Sequence, residues 1–410
     1  MKNISLLVLF LSLIGCKQEY KPENKIKEDV AILADDKFEG RQTGTEGEKA
    51  AASYLVKRFE ELGLQPKGTE GYLQAFNFKP KTNPHDEVKF TSVAEDSTVI
   101  GTNVIGFIDN KADQTIVIGA HYDHLGYGGE GSLFREEEKA IHNGADDNAS
   151  GVALMLNLAS KLKNTNTNTS NNYLFLAFSG EEMGLLGSNY FVKNATIPKE
   201  KINYMINMDM VGRMKVDSTL AVYGTGTSPM FKQTLTANNN SFKLIENESG
   251  VGPSDHTSFY LGDIPVLHFF TGQHEDYHKP GDDSEKLNYD GMNLISNYIF
   301  EVITDLDNNG KLSFRKTKNE SEETPRFKVG LGVVPDYLYD GEGMRIDGVS
   351  EDKPAQRAGL LKGDVVVKLG DSSVVDMMSY MRALSVFDVG NKTKVKVLRD
   401  GKEVETEIEF

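Results

Sequence analysis

Residues 171–188, NNYLFLAFSGEEMGLLGS, hold the feature on which the reading of this chain turns. The first eight form an apolar run of strand length, the pattern of a strand buried on both faces. Glu181 and Glu182 stand side by side three residues beyond its end. Adjacent carboxylates repel, and neither enters a core without a partner. A solvated first helical turn would accommodate them, because acidic residues suit the positive end of the helix dipole. A ligand site at the mouth of the strand would do so too. The ends of the other strands decide between the two.

Similar apolar runs recur at 103–108 (NVIGFI), 115–123 (TIVIGAHYD), 202–210 (INYMINMDM) and 264–270 (IPVLHFF). Helical periodicity separates them, at 46–64, 150–163 and 292–306. Strands alternating with helices predict an α/β fold, a three-layer sandwich with a mostly parallel central sheet. In such sheets ligands sit at the carboxyl ends of the strands. Those ends are rich in His, Asp and Glu: His121 and Asp123, Glu181 and Glu182, Asp209, and His278 in TGQHEDYHKPGDD. Asp146 and Asp147, in HNGADDNASG, precede a helix. A dry cluster of negative charge is very unfavourable without cations, and a mixed histidine and carboxylate shell suits zinc.

Five strings in this order, HYDHLG, NGADDNASG, SGEEMGLLGS, NMDMVGR and DYHKPGDD, resemble the co-catalytic two-zinc aminopeptidases, the family that includes the secreted bacterial leucyl aminopeptidases. The resemblance spans roughly residues 26–312 and implies the zinc exopeptidase fold with two zinc ions per chain. It implies that His121 and Asp209 hold one ion, Glu182 and His278 the other, and that Asp146 bridges them. Glu181 would then be the general base and acid on the activated water, with Asp123 behind His121 to orient it. Tyr277 matches a position that hydrogen-bonds the tetrahedral intermediate. The paired glutamates would divide the work, one binding and one reacting. His124, His142, His268 and His274 read as packing or local hydrogen-bonding residues, and Ser254, Asp255 and His256 fit positions close behind the substrate. Residues 305–316 begin like a calcium loop, but Lys316 stands where a bidentate glutamate is needed, so a turn is expected.

Residues 315–327 are charged and poor in apolar side chains, which reads as a linker. The expected boundaries are a metallopeptidase domain at 26–312, a linker at 313–325 and a small β-rich domain at 326–410. The last of these, through GLGVVPDY and AGLLKGDVVVKLG, resembles a PDZ domain. By that resemblance Gly330, Leu331, Gly332 and Val333 form the loop whose N–H groups hold a peptide carboxylate, while the peptide adds as a strand.

At the other end, Lys2 precedes an apolar segment that closes in Leu13-Ile14-Gly15-Cys16. This reads as a signal peptide over 1–15, with lipid attachment at Cys16 and a tether over 16–25. An exported bacterial lipoprotein of the periplasm or outer membrane surface is expected, touching membrane only through that anchor. Cys16 is the only cysteine, so no internal disulfide and no cysteine zinc cluster can form. The net charge of −16 argues against nucleic acid and anionic lipid surfaces as partners. The expected activity is removal of N-terminal residues from peptides. Three alternatives stay open: glutaminyl cyclase, carboxypeptidase (for which Arg213 is the one hint) and a catalytically inactive peptide-binding protein.

Overall fold

A computed structural model describes residues 24–80, 89–91, 97–129, 131–134, 139–164, 169–317, 328–336, 339, 341–350 and 352–410. The leader, Cys16 and most of the tether lie outside the described residues. Ten strands, β1 (Gln65–Pro66), β2 (Leu73–Lys79), β3 (Lys89–Thr91), β4 (Val99–Ile108), β5 (Gln114–His121), β6 (Asn171–Phe178), β7 (Ile202–Met208), β8 (Thr219–Tyr223), β9 (Lys243–Asn247) and β10 (Val266–Phe270), form one sheet. Its order is β3-β2-β4-β6-β5-β7-β10-β8-β9, with β1 beside β4. The centre, β6-β5-β7-β10, is parallel. Antiparallel pairings join β4 to β6 on one side and β8 to β10 on the other.

Alternation along the central strands builds the layers. In β6, Tyr173, Phe175 and Ala177 join one core, while Leu174, Leu176 and Phe178 join another. The first core is roofed by α1 (Ile26–Leu33), α2 (Glu46–Glu61), α3 (Gly151–Lys163), α5 (Phe231–Asn238) and α7 (Tyr289–Leu306). The second is covered by α4 (Leu186–Lys193) and α6 (His256–Tyr260), through Phe191 and Phe259. This is the three-layer sandwich expected from the sequence, and the strands read as unbroken apolar runs because both of their faces are covered.

The core of the larger domain continues slightly past the expected boundary at residue 312. Phe314 packs on the second core, Arg315 N–H donates to the Thr227 carbonyl at 2.8 Å, and the Tyr260 hydroxyl meets Thr317. Residues 313–317 are therefore held against the domain; the rest of the expected linker lies outside the described residues. Asp307–Asn309 form a single 3₁₀ turn whose Asp307 accepts from Ser170 N–H and from the Asn171 amide, as a turn rather than an ion loop would.

The C-terminal unit has its own core around Leu331, Ile346, Val366, Leu384 and Val397. Its antiparallel sheet runs β11 (Val333–Pro335), β12 (Met344–Val349), β13 (Val365–Leu369), β15 (Lys392–Arg399), β16 (Lys402–Glu409), with β14 (Ser372–Ser373) beside β13. Two helices, α8 (Pro354–Arg357) and α9 (Met377–Ser385), complete it. Gly332, at φ +74°, is pressed against Lys353, where a Cβ would come within 2.1 Å of the lysine chain. Leu331 points fully into the core and Val333 opens β11, an edge strand of the sheet. Among the described residues no helix is long and apolar enough to cross a membrane.

Candidate metal centre and catalytic cleft

Register brings the polar strand ends together. His121 is the last residue of β5 and stands opposite Phe178, the last of β6; Glu181 and Glu182 follow three and four residues later. Asp209 directly follows β7, and the segment after β10 carries Tyr277 and His278. The side chains of His121, Glu182, Asp209 and His278 meet around one more carboxylate, and it is Asp147 that occupies this place. His121 Nε2 lies 3.3 Å from Asp147 Oδ1 and 3.4 Å from Asp209 Oδ1. His278 Nε2 lies 3.1 Å from Asp147 Oδ2 and 3.2 Å from Glu182 Oε2. The two oxygens of Asp147 thus each face a different histidine.

The expectation of Asp146 at this central position is corrected. Asp146 Oδ1 accepts Gly212 N–H at 2.6 Å, and its Oδ2 faces His274 Nε2 at 3.2 Å, on the far side of the loop. Asp282 Oδ2 accepts the N–H groups of both Asp146 and Asp147, which fixes the backbone so that the second side chain turns to the cluster. Two adjacent acids cannot be told apart by spacing; the anchors that separate them come from residues more than sixty positions away.

The donor set fits zinc. His121 Nε2 is buried and makes no hydrogen bond. His278 Nδ1 lies 2.8 Å from the Gly131 carbonyl, which can only accept, so Nδ1 donates there and Nε2 is the nitrogen that the neutral ring would offer to a metal. The spacings of 3.1–3.4 Å match the edge of about 3.3 Å required by a tetrahedral ion with bonds of roughly 2.0–2.1 Å to nitrogen and oxygen. The ligating types are imidazole and carboxylate only, the mixture that suits zinc.

The paired glutamates occupy contrasting surroundings. Burial pushes the Glu181 carboxyl well above the usual range, with Glu182 and Asp209 adding to the rise. Burial acts in the same direction on Glu182, yet His278 and His124 overcome it and hold that group down at about 2. Neighbouring carboxylates pushed apart in this way suit different tasks. Glu181 is positioned by its own backbone, whose N–H donates to Asp123 Oδ1 at 3.1 Å. Asp123 is fully buried, accepts from Thr43 and lies 3.7 Å from His121 Nδ1. It thereby links Glu181 to His121. Tyr277 stacks on His278 with ring centres 3.8 Å apart.

Beside the cluster opens a recess lined by Met210, Tyr223, Pro253, Phe270, Gln273 and Tyr277. His268 forms part of its wall, and burial holds that imidazole down at about 4, so it is uncharged. His256 stacks on His268 at 4.5 Å from beneath. Ser254 Oγ donates to Asp209 Oδ2 at 2.7 Å, so it braces the strand-end aspartate from behind.

Sequence reasoning passed over two buried supports. Arg41 is fully buried and donates to the carbonyls of Leu33, Tyr122, Asn143 and Gly144 at 2.6–3.0 Å. It ties together the HYDH and NGADD loops. Burial lowers its pKa to about 10, against the pull of Asp123, Asp147, Asp282 and Glu182. Gly40, just before it, approaches Gly126 and His142 so closely that a Cβ would meet their carbonyls at 2.5–2.6 Å. Glu48, on α2, accepts from Ser179 Oγ, Tyr122 OH, and the N–H groups of Gly44 and Thr102. The FEGRQTGTEGE string that holds both residues was legible only as a helix start.

This site and fold define a metallopeptidase of the zinc exopeptidase class. Residues 103–303 match peptidase family M28 and residues 312–410 match the PDZ domain, so an M28 peptidase segment is followed by a C-terminal PDZ domain. A stretch of 173 residues is 32% identical to the alkaline phosphatase isozyme conversion protein of Escherichia coli, covering 42% of this chain and 47% of that one. A probable leucine aminopeptidase of Trichophyton verrucosum is 28% identical over 226 residues, covering 52% and 56% respectively. The chain thus spans about half the length of these curated relatives. The fold is similar to that of a zinc aminopeptidase from Bacillus subtilis, with a TM-score of 0.54 at 16% identity over 72% of this chain and 97% of that one.

Proposed function

We propose that this chain is a two-zinc aminopeptidase that removes N-terminal residues from peptides. The observation that carries this is the placement of Asp147 between two histidine–carboxylate pairs, with Glu181 alongside. His121 and Asp209 would hold one ion, Glu182 and His278 the other, and Asp147 would touch both. Zinc in that place supplies Lewis acidity and lowers the pKa of water. Glu181 accepts the proton of the attacking water as the new C–O bond forms, and it returns that proton to the amine nitrogen as the C–N bond breaks. Tyr277 donates its hydroxyl hydrogen to the oxygen that gains charge. The side of the recess formed by Met210, Tyr223, Pro253 and Phe270 would receive an uncharged, apolar N-terminal side chain. Arg213, the one hint of a carboxypeptidase, pairs through Nη2 with Asp276 at 3.2 Å and is not among the residues that line the recess, which favours the aminopeptidase reading.

The test is a panel of aminoacyl, N-blocked and N-terminal glutaminyl peptides, run with metal analysis on the full chain and on a chain ending at Thr317. Free N-terminal leucine or phenylalanine peptides should be cleaved, blocked ones spared, and activity lost with a chelator and restored by zinc. Cyclisation of the glutaminyl substrate without hydrolysis of the others would replace the proposal by the cyclase reading. The truncated chain should keep turnover of small substrates, since both peptidase cores are built without any residue beyond Phe314 among those described. The PDZ unit would bind peptide at β11 through the Gly330–Val333 loop.

Export as a lipoprotein is proposed from the leader alone. Cys16→Ser should shift the protein out of the membrane fraction and end incorporation of labelled fatty acid. An unlabelled wild type would remove the anchor from this account.

A further inference from the structure

His124 is buried at the edge of the metal cluster, where it forms with Asp147 and Glu182 a further group that could hold an ion, its Nδ1 3.9 Å from Asp147 Oδ2; it is not among the five donors of the proposed pair of ions. Its Nδ1 lies 2.7 Å from Glu182 Oε1, while Glu182 turns its other oxygen, Oε2, to His278. A separation of 2.7 Å is a hydrogen bond, and it is shorter than the 3.1–3.4 Å that separates the neighbouring donors from one another. A carboxylate can only accept, so Nδ1 carries the proton. His124 Nε2 is buried and has no hydrogen-bond partner among the described residues. The ring fits because residue 144 is glycine: a Cβ there would come within 2.5 Å of it.

The opposite carboxylate is arranged in the same way with different chemistry. Asp209 presents Oδ1 to His121, and its Oδ2 accepts from Ser254 Oγ at 2.7 Å. Ser254 in turn accepts from Asn207 at 2.7 Å. Each terminal carboxylate therefore offers one oxygen to the cluster and has the other occupied by a donor, a hydroxyl in one case and an imidazole in the other.

We infer that His124 is a positioning residue that restricts Glu182 to a single ligating oxygen and thereby sets the affinity of the Glu182–His278 metal position alone. The inference rests on the two-metal reading. Restriction acts through the orientation of the carboxylate plane, which outer hydrogen bonds control in metal sites. The two positions are consequently unequal, and the one braced by His124 responds to changes at residue 124 while the one braced by Ser254 does not.

The experiment is calorimetric titration of the metal-free full-length chain with zinc, for the wild type and for His124→Asn, His124→Gln and His124→Leu. Asparagine places its amide near the Nδ1 position, whereas glutamine reaches the Nε2 position and leucine offers no donor. His124→Asn should bind two ions, each with the affinity it has in the wild type. His124→Gln and His124→Leu should lose about 10–100-fold at one position and nothing at the other. Unchanged affinities in the last two variants, or equal loss at both positions, overturn the inference. Fewer than two ions in the wild type would instead refute the two-metal reading. Nitrogen NMR of the wild type supplies a check independent of variant folding: the Nδ1 proton of His124 should persist on zinc addition. Its loss, with Nδ1 bonded to metal, would make His124 a ligand and overturn the positioning role.

Discussion

Asp147→Asn should strip both ions from the protein, while Asp146→Asn should leave zinc content close to that of the wild type. Asp147 turns one oxygen to His121 and the other to His278, at 3.3 and 3.1 Å, and so stands between the two histidine–carboxylate pairs. An amide in its place offers one neutral oxygen and one nitrogen that cannot ligate, so both positions lose a charged donor. Bound zinc should fall from two per chain to less than one, with hydrolysis falling in parallel. Asp146 supports the loop through Gly212 and His274, so its amide variant should lose thermal stability before it loses metal. Metal loss confined to the Asp146 variant would return the bridging role to that residue.

Glu181→Gln should lower kcat by at least about 10²-fold with zinc still bound, the scale of general acid–base contributions. Glutamine keeps the size of the side chain, and the backbone N–H that anchors it to Asp123 is unchanged. It cannot take a proton from water. Glu182→Gln should behave differently, losing zinc along with turnover, because its Oε2 lies beside His278. Parallel measurements of zinc per chain and kcat separate the two roles. Near-normal turnover in Glu181→Gln would sink the mechanism, and equal zinc loss in both variants would erase the division between them.

The fold was legible because the central strands are covered on both faces, so Tyr173–Phe178 and their counterparts read as unbroken apolar runs. His121, Glu181, Glu182, Asp209 and His278 were legible because each ends, or closely follows, such a run. Asp147 was not, since Asp282 holds its backbone N–H while Gly212 and His274 hold the side chain of Asp146 away, and none of the three is a neighbour in sequence. His124 was hidden for a related reason. An extra histidine in a short string gives no indication of which carboxylate oxygen it will meet.

Arg41 bears on the order of assembly. Its guanidinium joins four carbonyls from three separate segments without any carboxylate hydrogen bond, beneath a cluster rich in negative charge. A permanent cation built into the polypeptide does there, from below, part of what divalent ions do from above. The loops bearing His121 and Asp147 can therefore reach their places during folding with no ion present. In domains that lack such a support the free energy of metal binding is the free energy of folding. Here metal capture can come last, as the loading of a finished receptacle.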